Sequence, residues 1–188
     1  ELTVNEPTAL NQLLEIEQST FTTFGVSCFQ GDNGWISIVP NGGYIPYSFQ
    51  WFKSGIMIST NNMIENLESG NYSVIVEDGI GCQEEFVFNL TEPSEPIDIT
   101  IYSLYDYNGY DLSCYGANDG GIMVNVTGGV SPYSYFWNDS IAINPYISQE
   151  AGLYLLDIVD NNGCKVEGDI LLEQPAELVM NTIVSPDT

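Results

Sequence analysis

The sequence predicts an all-β chain made of two tandem β-sandwich repeats, and three observations carry that expectation. The first is a stretch that occurs twice. Gly70-Asn-Tyr-Ser-Val-Ile-Val-Glu-Asp-Gly-Ile-Gly-Cys82 is followed later by Gly152-Leu-Tyr-Leu-Leu-Asp-Ile-Val-Asp-Asn-Asn-Gly-Cys164. Gly70, Tyr72, Asp78, Gly81 and Cys82 recur 82 positions on as Gly152, Tyr154, Asp160, Gly163 and Cys164. A period of that size marks an array of domains. The second observation is alternation: Tyr72, Val74 and Val76 interleave with Ser73, Ile75 and Glu77, the period of a strand. The third is punctuation. Clusters of Gly, Asn, Asp and Pro separate short alternating segments, leaving room for about seven strands per repeat and no convincing helix.

Upstream of the anchor stretch, Cys28, Gly34, Gly42-Gly43, Pro46-Tyr47 and Trp51 correspond to Cys114, Gly120, Gly128-Gly129, Pro132-Tyr133 and Trp137, here 86 positions apart. The loop between Trp51 and Gly70 is therefore four residues longer than its twin, the ordinary way repeats diverge. Glu6-Pro7, Glu92-Pro93 and Gln174-Pro175 mark the boundaries. Repeat one is 8–93 and repeat two 94–175. Residues 1–7 match the end of a preceding repeat and 176–188 the start of a following one, so the expectation is a segment of a longer tandem array.

Taken in order, residues 13–24 (Leu14, Ile16, Phe21, Phe24) read as an edge strand, and 97–105 as its cleaner equivalent. A polar turn from Cys28 to Gly34 leads into strand 35–39, matched by Cys114 to Gly120 and strand 122–126. Residues 47–51 and 133–137 form the third strand, each ending in a tryptophan placed to fill a sandwich core. Segments 54–66 and 138–149 read as irregular. The anchor strands follow, with Tyr72 and Tyr154 at a corner where a phenol can bond back to the preceding loop. Residues 83–90 and 165–172 close the last hairpins. The sum is two tandem immunoglobulin-like β-sandwich repeats.

Composition narrows the function. Hydrophobic residues make up 44 % and aromatics 12 %, enough for two packed cores despite a net charge of −24. With only Lys53 and Lys165 against 26 acids, the chain excludes nucleic acid and anionic membrane surfaces as partners. No apolar run approaches the roughly 20 residues that insert into a bilayer. The absence of His removes Ser/His and Cys/His catalysis, and two thiols per repeat without an imidazole argue against zinc. The chain reads as a non-enzyme.

The four cysteines fall two per repeat, Cys28 with Cys82 and Cys114 with Cys164, which suggests disulfides within each repeat and an oxidising compartment. Such bridges contribute about 3–4 kcal/mol in the chain-entropy account. Cys28 and Cys82 meet only if the Cys28 segment folds back towards the last hairpin, so the connectivity stays open at this point. Calcium is the metal that the oxygen-rich turns suit, with Asp32, Asn33 and Asp78 as candidates in repeat one and Asn118, Asp119, Asp157, Asp160 and Asn161 in repeat two. The same residues also make turns unaided. For a stacking ligand such as a glycan, two aromatic groups stand out: Trp35, Tyr44, Tyr47, Trp51 and Phe52, and the tyrosines Tyr102, Tyr105, Tyr107 and Tyr110 in a polar segment.

The ordered set Ser-Cys, Asp/Asn-Gly, Gly-Gly, Pro-Tyr, Trp, Gly-x-Tyr, Asp-x-x-Gly-Cys and a closing Glu/Gln-Pro resembles the SprB repeat, which builds very large surface proteins of gliding Bacteroidetes. The resemblance implies immunoglobulin-type modules on an extracellular adhesin associated with the outer membrane through its parent protein. It implies export by the type IX system, movement by the gliding machinery, and contact with a substratum or polysaccharide surface and with neighbouring repeats. Asp139-Ser140-Ile141 resembles the short O-glycosylation signal of the same bacteria. The competing expectation is a carbohydrate-binding module of a secreted polysaccharide-processing protein.

Overall fold

The computed structural model describes residues 9–10 and 15–181, and these form an all-β protein with fourteen strands and no helix. The chain divides into two compact units. Unit 1 comprises Glu1–Pro96 with Gly128–Val130 and Asn162–Cys164, and unit 2 comprises Ile97–Thr127, Ser131–Asn161 and Lys165–Thr188. The expected fragment 1–7 and residues 182–188 of the expected following repeat lie outside the described residues.

Unit 1 holds β1 (Glu15–Gln18), β2 (Gly34–Val39), β3 (Ser48–Lys53), β4 (Ile56–Ser59), β5 (Met63–Leu67), β6 (Gly70–Glu77) and β7 (Gln83–Leu90). They make two antiparallel sheets, β1-β2-β5 and β4-β3-β6-β7. The chain crosses between sheets from β2 to β3, from β4 to β5 and again from β5 to β6, which gives the interleaved order of an immunoglobulin-like sandwich. Unit 2 repeats the plan with β8 (Asp98–Ser103), β9 (Gly120–Thr127), β10 (Ser134–Trp137), β11 (Ser140–Ala142), β12 (Tyr146–Gln149), β13 (Gly152–Val159) and β14 (Lys165–Leu172). Its sheets are β8-β9-β12 and β11-β10-β13-β14.

The expected alternation is what builds each core. On β6, Tyr72, Val74 and Val76 are buried, and they meet Ile36 and Ile38 of the facing sheet around a fully buried Trp51. On β13, Leu156 and Ile158 pack with Ile122, Val124, Leu172 and Trp137. Each tryptophan sits on the third strand beside the anchor strand, in register Trp51↔Val74 and Trp137↔Leu156.

Both tyrosine corners form. Tyr72 Oη donates to Glu68 O and Tyr154 Oη to Glu150 O, each at 2.9 Å. Tyr72→Phe should lose about 1 kcal/mol in chemical denaturation. Tyr154→Phe should lose less, because its bond lies in reach of water. No change at Tyr72 would remove the bond from the list of stabilising contacts.

Two expectations need correcting. Segments 54–66 and 138–149 are not irregular: each carries two short strands, β4 and β5 in one and β11 and β12 in the other. All four are sheet-edge strands. Strands β4 and β11 have little to bury, Ile56, Met57 and Ile58 of β4 being exposed, and β5 buries only Ile64 and Leu67, three positions apart, so none of the three shows a strand's alternation. Of the expected 13–24 edge strand, residues 13 and 14 lie outside the described residues; in the rest, β1 covers Glu15–Gln18 and one isolated bridge joins Phe21 and Phe24.

Candidate functional site

The tips of the last hairpins are built around a buried aspartate. Asp78 is 4 % exposed and its twin Asp160 5 %. Asp78 Oδ1 accepts the backbone N–H of Ile80 at 3.0 Å and of Cys82 at 2.8 Å, while Oδ2 accepts that of Tyr44 at 3.0 Å. Gly43 has φ +64°, and a Cβ there would lie 2.7 Å from Asp78 Oδ2, so glycine is what lets the loop close on the carboxylate. Gly81 and Gly163 share φ +88° in the two turns. The carboxylate lone pairs of Asp78 thus point at N–H donors.

Burial works to raise the Asp78 carboxyl, but the N–H groups of Cys82, Ile80, Tyr44 and Gly81 outweigh it and hold the group below the usual aspartate range. A carboxyl held low contributes stability above its unfolded value, near 3.8. That contribution is lost as pH falls through the folded value. Asp78→Asn keeps an acceptor for Ile80 and Cys82 but turns an amide NH₂ towards the N–H of Tyr44. It should lower Tm at pH 7 and narrow the loss of stability between pH 4 and pH 2. An acid limb identical to that of the parent chain would show that another carboxylate governs it.

The other calcium candidates are engaged separately. Asn33 is tied to Ser27, accepting its backbone N–H at 3.0 Å and donating to its Oγ at 2.8 Å. Asp119 accepts the backbone N–H of Ser113 at 3.2 Å, and bonds from the Ser113 side chain and backbone hold its carboxyl low. Asp157 pairs with Lys165 at 3.0 Å. Asp32, Asn118 and Asn161 are exposed on their turns. Among the described residues no three His, Cys, Asp or Glu side chains are grouped to hold a metal ion. The two cations are local neutralisers: Lys53 meets Glu68 at 2.9 Å and lies 5.3 Å from the centre of the Tyr72 ring, and Lys165 bridges Glu167 and Asp157.

The aromatic groups separate. Trp51 belongs to the core and Tyr47 donates its Oη to Gly42 O at 2.6 Å, while Trp35 and Phe52 are half-buried and Tyr44 is exposed. The second group is different. Tyr102, Tyr105, Tyr107 and Tyr110 are each about 40 % exposed, at 40 %, 42 %, 38 % and 39 %. Tyr105 and Tyr107 have ring centres 6.1 Å apart. A tight turn bonded from Tyr107 N to Tyr110 O, with Asp106 Oδ1 accepting Gly109 N, carries Tyr107 and Tyr110, while Tyr102 lies on β8. Tyr115, 55 % exposed, joins the same β8–β9 connection and escaped the sequence reading.

A second unforeseen feature is an open groove of about 350 Å³ on the outer face of β10-β13-β14, lined by Phe136, Asn138, Leu155, Asp157, Lys165 and Glu167 among others. One lining residue carried a signal in sequence: Leu155 takes an outward position where alternation calls for a polar residue, and it is more than half exposed. Ser140 of the glycosylation-like tripeptide is exposed at the start of β11.

The cysteine pairing is a correction. Cys28 bonds to Cys164, with Cα atoms 5.7 Å apart, and Cys82 and Cys114 are free and exposed. Residues Asn162–Cys164 fall in unit 1, where the Asn162 side chain also donates to Ser27 O at 3.0 Å. The expected pairs Cys28–Cys82 and Cys114–Cys164 do not form.

No curated protein matches the chain in sequence. Similar solved structures include three N-terminal domains of the highly immunogenic outer capsid protein of bacteriophage RB49, at 14 % identity and TM-score 0.45, covering 86 % of this chain and 58 % of that one. The fibronectin(III)-like modules of CbhA from Clostridium thermocellum align at 12 % identity and TM-score 0.44, over 92 % and 100 % of the two chains. The N-terminal eight Ig domains of Down Syndrome Cell Adhesion Molecule align at 14 % and 0.38, over 87 % and 25 %. The chain thus spans 58 % of the capsid-protein fragment. Residues 20–54 and 110–140, one segment in each sequence repeat and each containing the Cys, Gly-Gly and Pro-Tyr positions, match the family model of the SprB repeat.

Proposed function

We propose that the chain is a segment of a long cell-surface adhesin, in which repeats of this kind give reach and present contact surfaces to a substratum or polysaccharide during gliding. The observation that supports the reading best is the SprB match in both repeats. Two independent cores, one per repeat, suit a protein that bears load module by module. The charge of −24 keeps neighbouring chains apart in a crowded surface layer. Antiserum against the chain should label intact cells of the source organism and reduce their attachment to glass. Labelling only after permeabilisation would overturn the proposal.

The half-exposed tyrosines of the β8–β9 connection favour one specific mode of contact, stacking against sugar rings. Binding on a glycan array that is lost in Tyr107→Ala would support a carbohydrate-binding module, whether in an adhesin or in a polysaccharide-processing protein. Calcium enters this reading as a counter-ion to the acidic surface. CaCl₂ and MgCl₂ at equal ionic strength should raise Tm alike, and a rise specific to Ca²⁺ would instead point to a caged site.

A further inference from the structure

We propose that Cys114 and Cys82 are two halves of one recurring disulfide, formed between consecutive copies of this two-repeat segment: Cys114 of one copy with Cys82 of the next. The inference rests on the tandem-array reading and goes further, assigning the array a covalent staple at every junction.

The bond already present supplies the rule. Cys28 is the first cysteine of repeat one, and Cys164 is the second cysteine of repeat two. Advanced by one repeat, the same rule joins Cys114, the first cysteine of repeat two, to the second cysteine of a third repeat. Where that repeat is another copy of repeat one, the second cysteine is Cys82. These are the two cysteines left free, and both are exposed.

Sequence equivalence alone would be thin, but the local geometry agrees bond for bond. Around Cys28, the N–H groups of Gly25 and Val26 donate to Thr91 O, Ser27 N to Asn33 Oδ1, Gln30 N to Glu92 Oε2, and Gly31 N to Cys28 O. Around Cys114, the N–H groups of Asp111 and Leu112 donate to Glu173 O, Ser113 N to Asp119 Oδ1, Gly116 N to Gln174 Oε1, and Ala117 N to Cys114 O. The loop that holds Cys28 for its partner is therefore reproduced at Cys114, with its thiol exposed. The partner side is equally alike: Cys82 and Cys164 each follow a glycine at φ +88° and a buried aspartate four residues back. One difference marks the Cys82 tip. Ile80, 61 % exposed, stands where Asn162 donates to Ser27 O, so that tip brings an apolar side chain to its junction instead of an amide.

Formation is thiol–disulfide exchange with a disulfide oxidant such as oxidised glutathione. The two thiols lose two protons and two electrons, one S–S bond forms, and the glutathione S–S bond is reduced to two thiols.

The test uses a fusion in which residues 1–175 run directly into residues 8–188, keeping the Pro-to-repeat junction. Two versions have the same composition. In one, only Cys114 of the first copy and Cys82 of the second remain beside the two Cys28–Cys164 pairs. In the other, only Cys82 of the first copy and Cys114 of the second remain, the rest being changed to serine. The inner pair should oxidise at roughly 100-fold lower oxidised glutathione than the outer pair, the difference in effective concentration expected when one pair on a chain is held within bonding reach and the other is not. Peptide mapping without reduction should recover the Cys114–Cys82 linkage. Equal oxidation of both versions, or none, would overturn the proposal. Surface labelling of cells does not depend on this bond, so a failed staple and a failed adhesin reading are distinguishable.

Discussion

Trp51→Ala should destabilise unit 1 by about 3–5 kcal/mol, the cost of emptying a large aromatic from a closed core. A single domain of this size has about 5–15 kcal/mol in total, so the variant should sit close to unfolding at 37 °C. Trp51 is fully buried, packs 5.5 Å from Phe88 centre to centre, and donates Nε1–H to Asn61 O at 2.7 Å. Trp137 occupies the equivalent place in unit 2, stacked at 5.4 Å on Tyr146 with Tyr154 edge-on at 6.5 Å. Its Nε1, by contrast, has no hydrogen-bond partner among the described residues. The conservative change therefore separates the two sites. Trp51→Phe gives up a hydrogen bond worth about 1 kcal/mol on top of lost packing, whereas Trp137→Phe removes a buried donor that had no acceptor. Denaturant unfolding should show the larger loss at position 51. Equal losses would mean that cavity volume alone decides both.

Strands that bury one face were legible, the edge strands β7, β8 and β14 included, and strands that bury almost nothing were not. On β6 and β13 the buried face imposes alternation, and the repeat doubled the signal by showing it twice. Strands β4 and β11 bury almost nothing on either face, so selection leaves no period to read. The turn aspartates were visible as residues but not in their role. An Asp among Asn and Gly can coordinate a cation or collect backbone N–H groups, and only the path of the Tyr44 loop over Asp78 decides between them. The cysteines failed for a subtler reason. Two per repeat is equally consistent with pairing inside a repeat and with pairing one repeat out of step, since both satisfy the same period. Strand order left the first open, because the segments carrying Cys28 and Cys82 meet only if the Cys28 segment folds back towards the last hairpin. What sequence could not supply was the position of Asn162–Cys164 in unit 1.

That pairing makes reduction the second large perturbation. The Cys28–Cys164 bond spans 136 residues, far more than either within-repeat pair would close. In the chain-entropy account, a loop of that length restricts the unfolded chain by about 5 kcal/mol, against about 3–4 for the expected pairs. For a chain of this length, roughly 2–4 °C of Tm accompany each kcal/mol, so reductant should lower Tm by on the order of 10 °C or more. Cys28→Ser should reproduce most of that drop and make the chain insensitive to reductant. Cys82→Ser and Cys114→Ser should leave the Tm of this segment unchanged, because neither residue is bonded within it. The enclosed loop runs from β2 to β13 and so contains strands of both cores. Its closure restrains the unfolded chain whichever core melts first, and the loss on reduction should therefore appear in both transitions if two are resolved. A drop confined to Cys82→Ser would reinstate pairing within the first repeat and remove the rule from which the staple between copies was drawn.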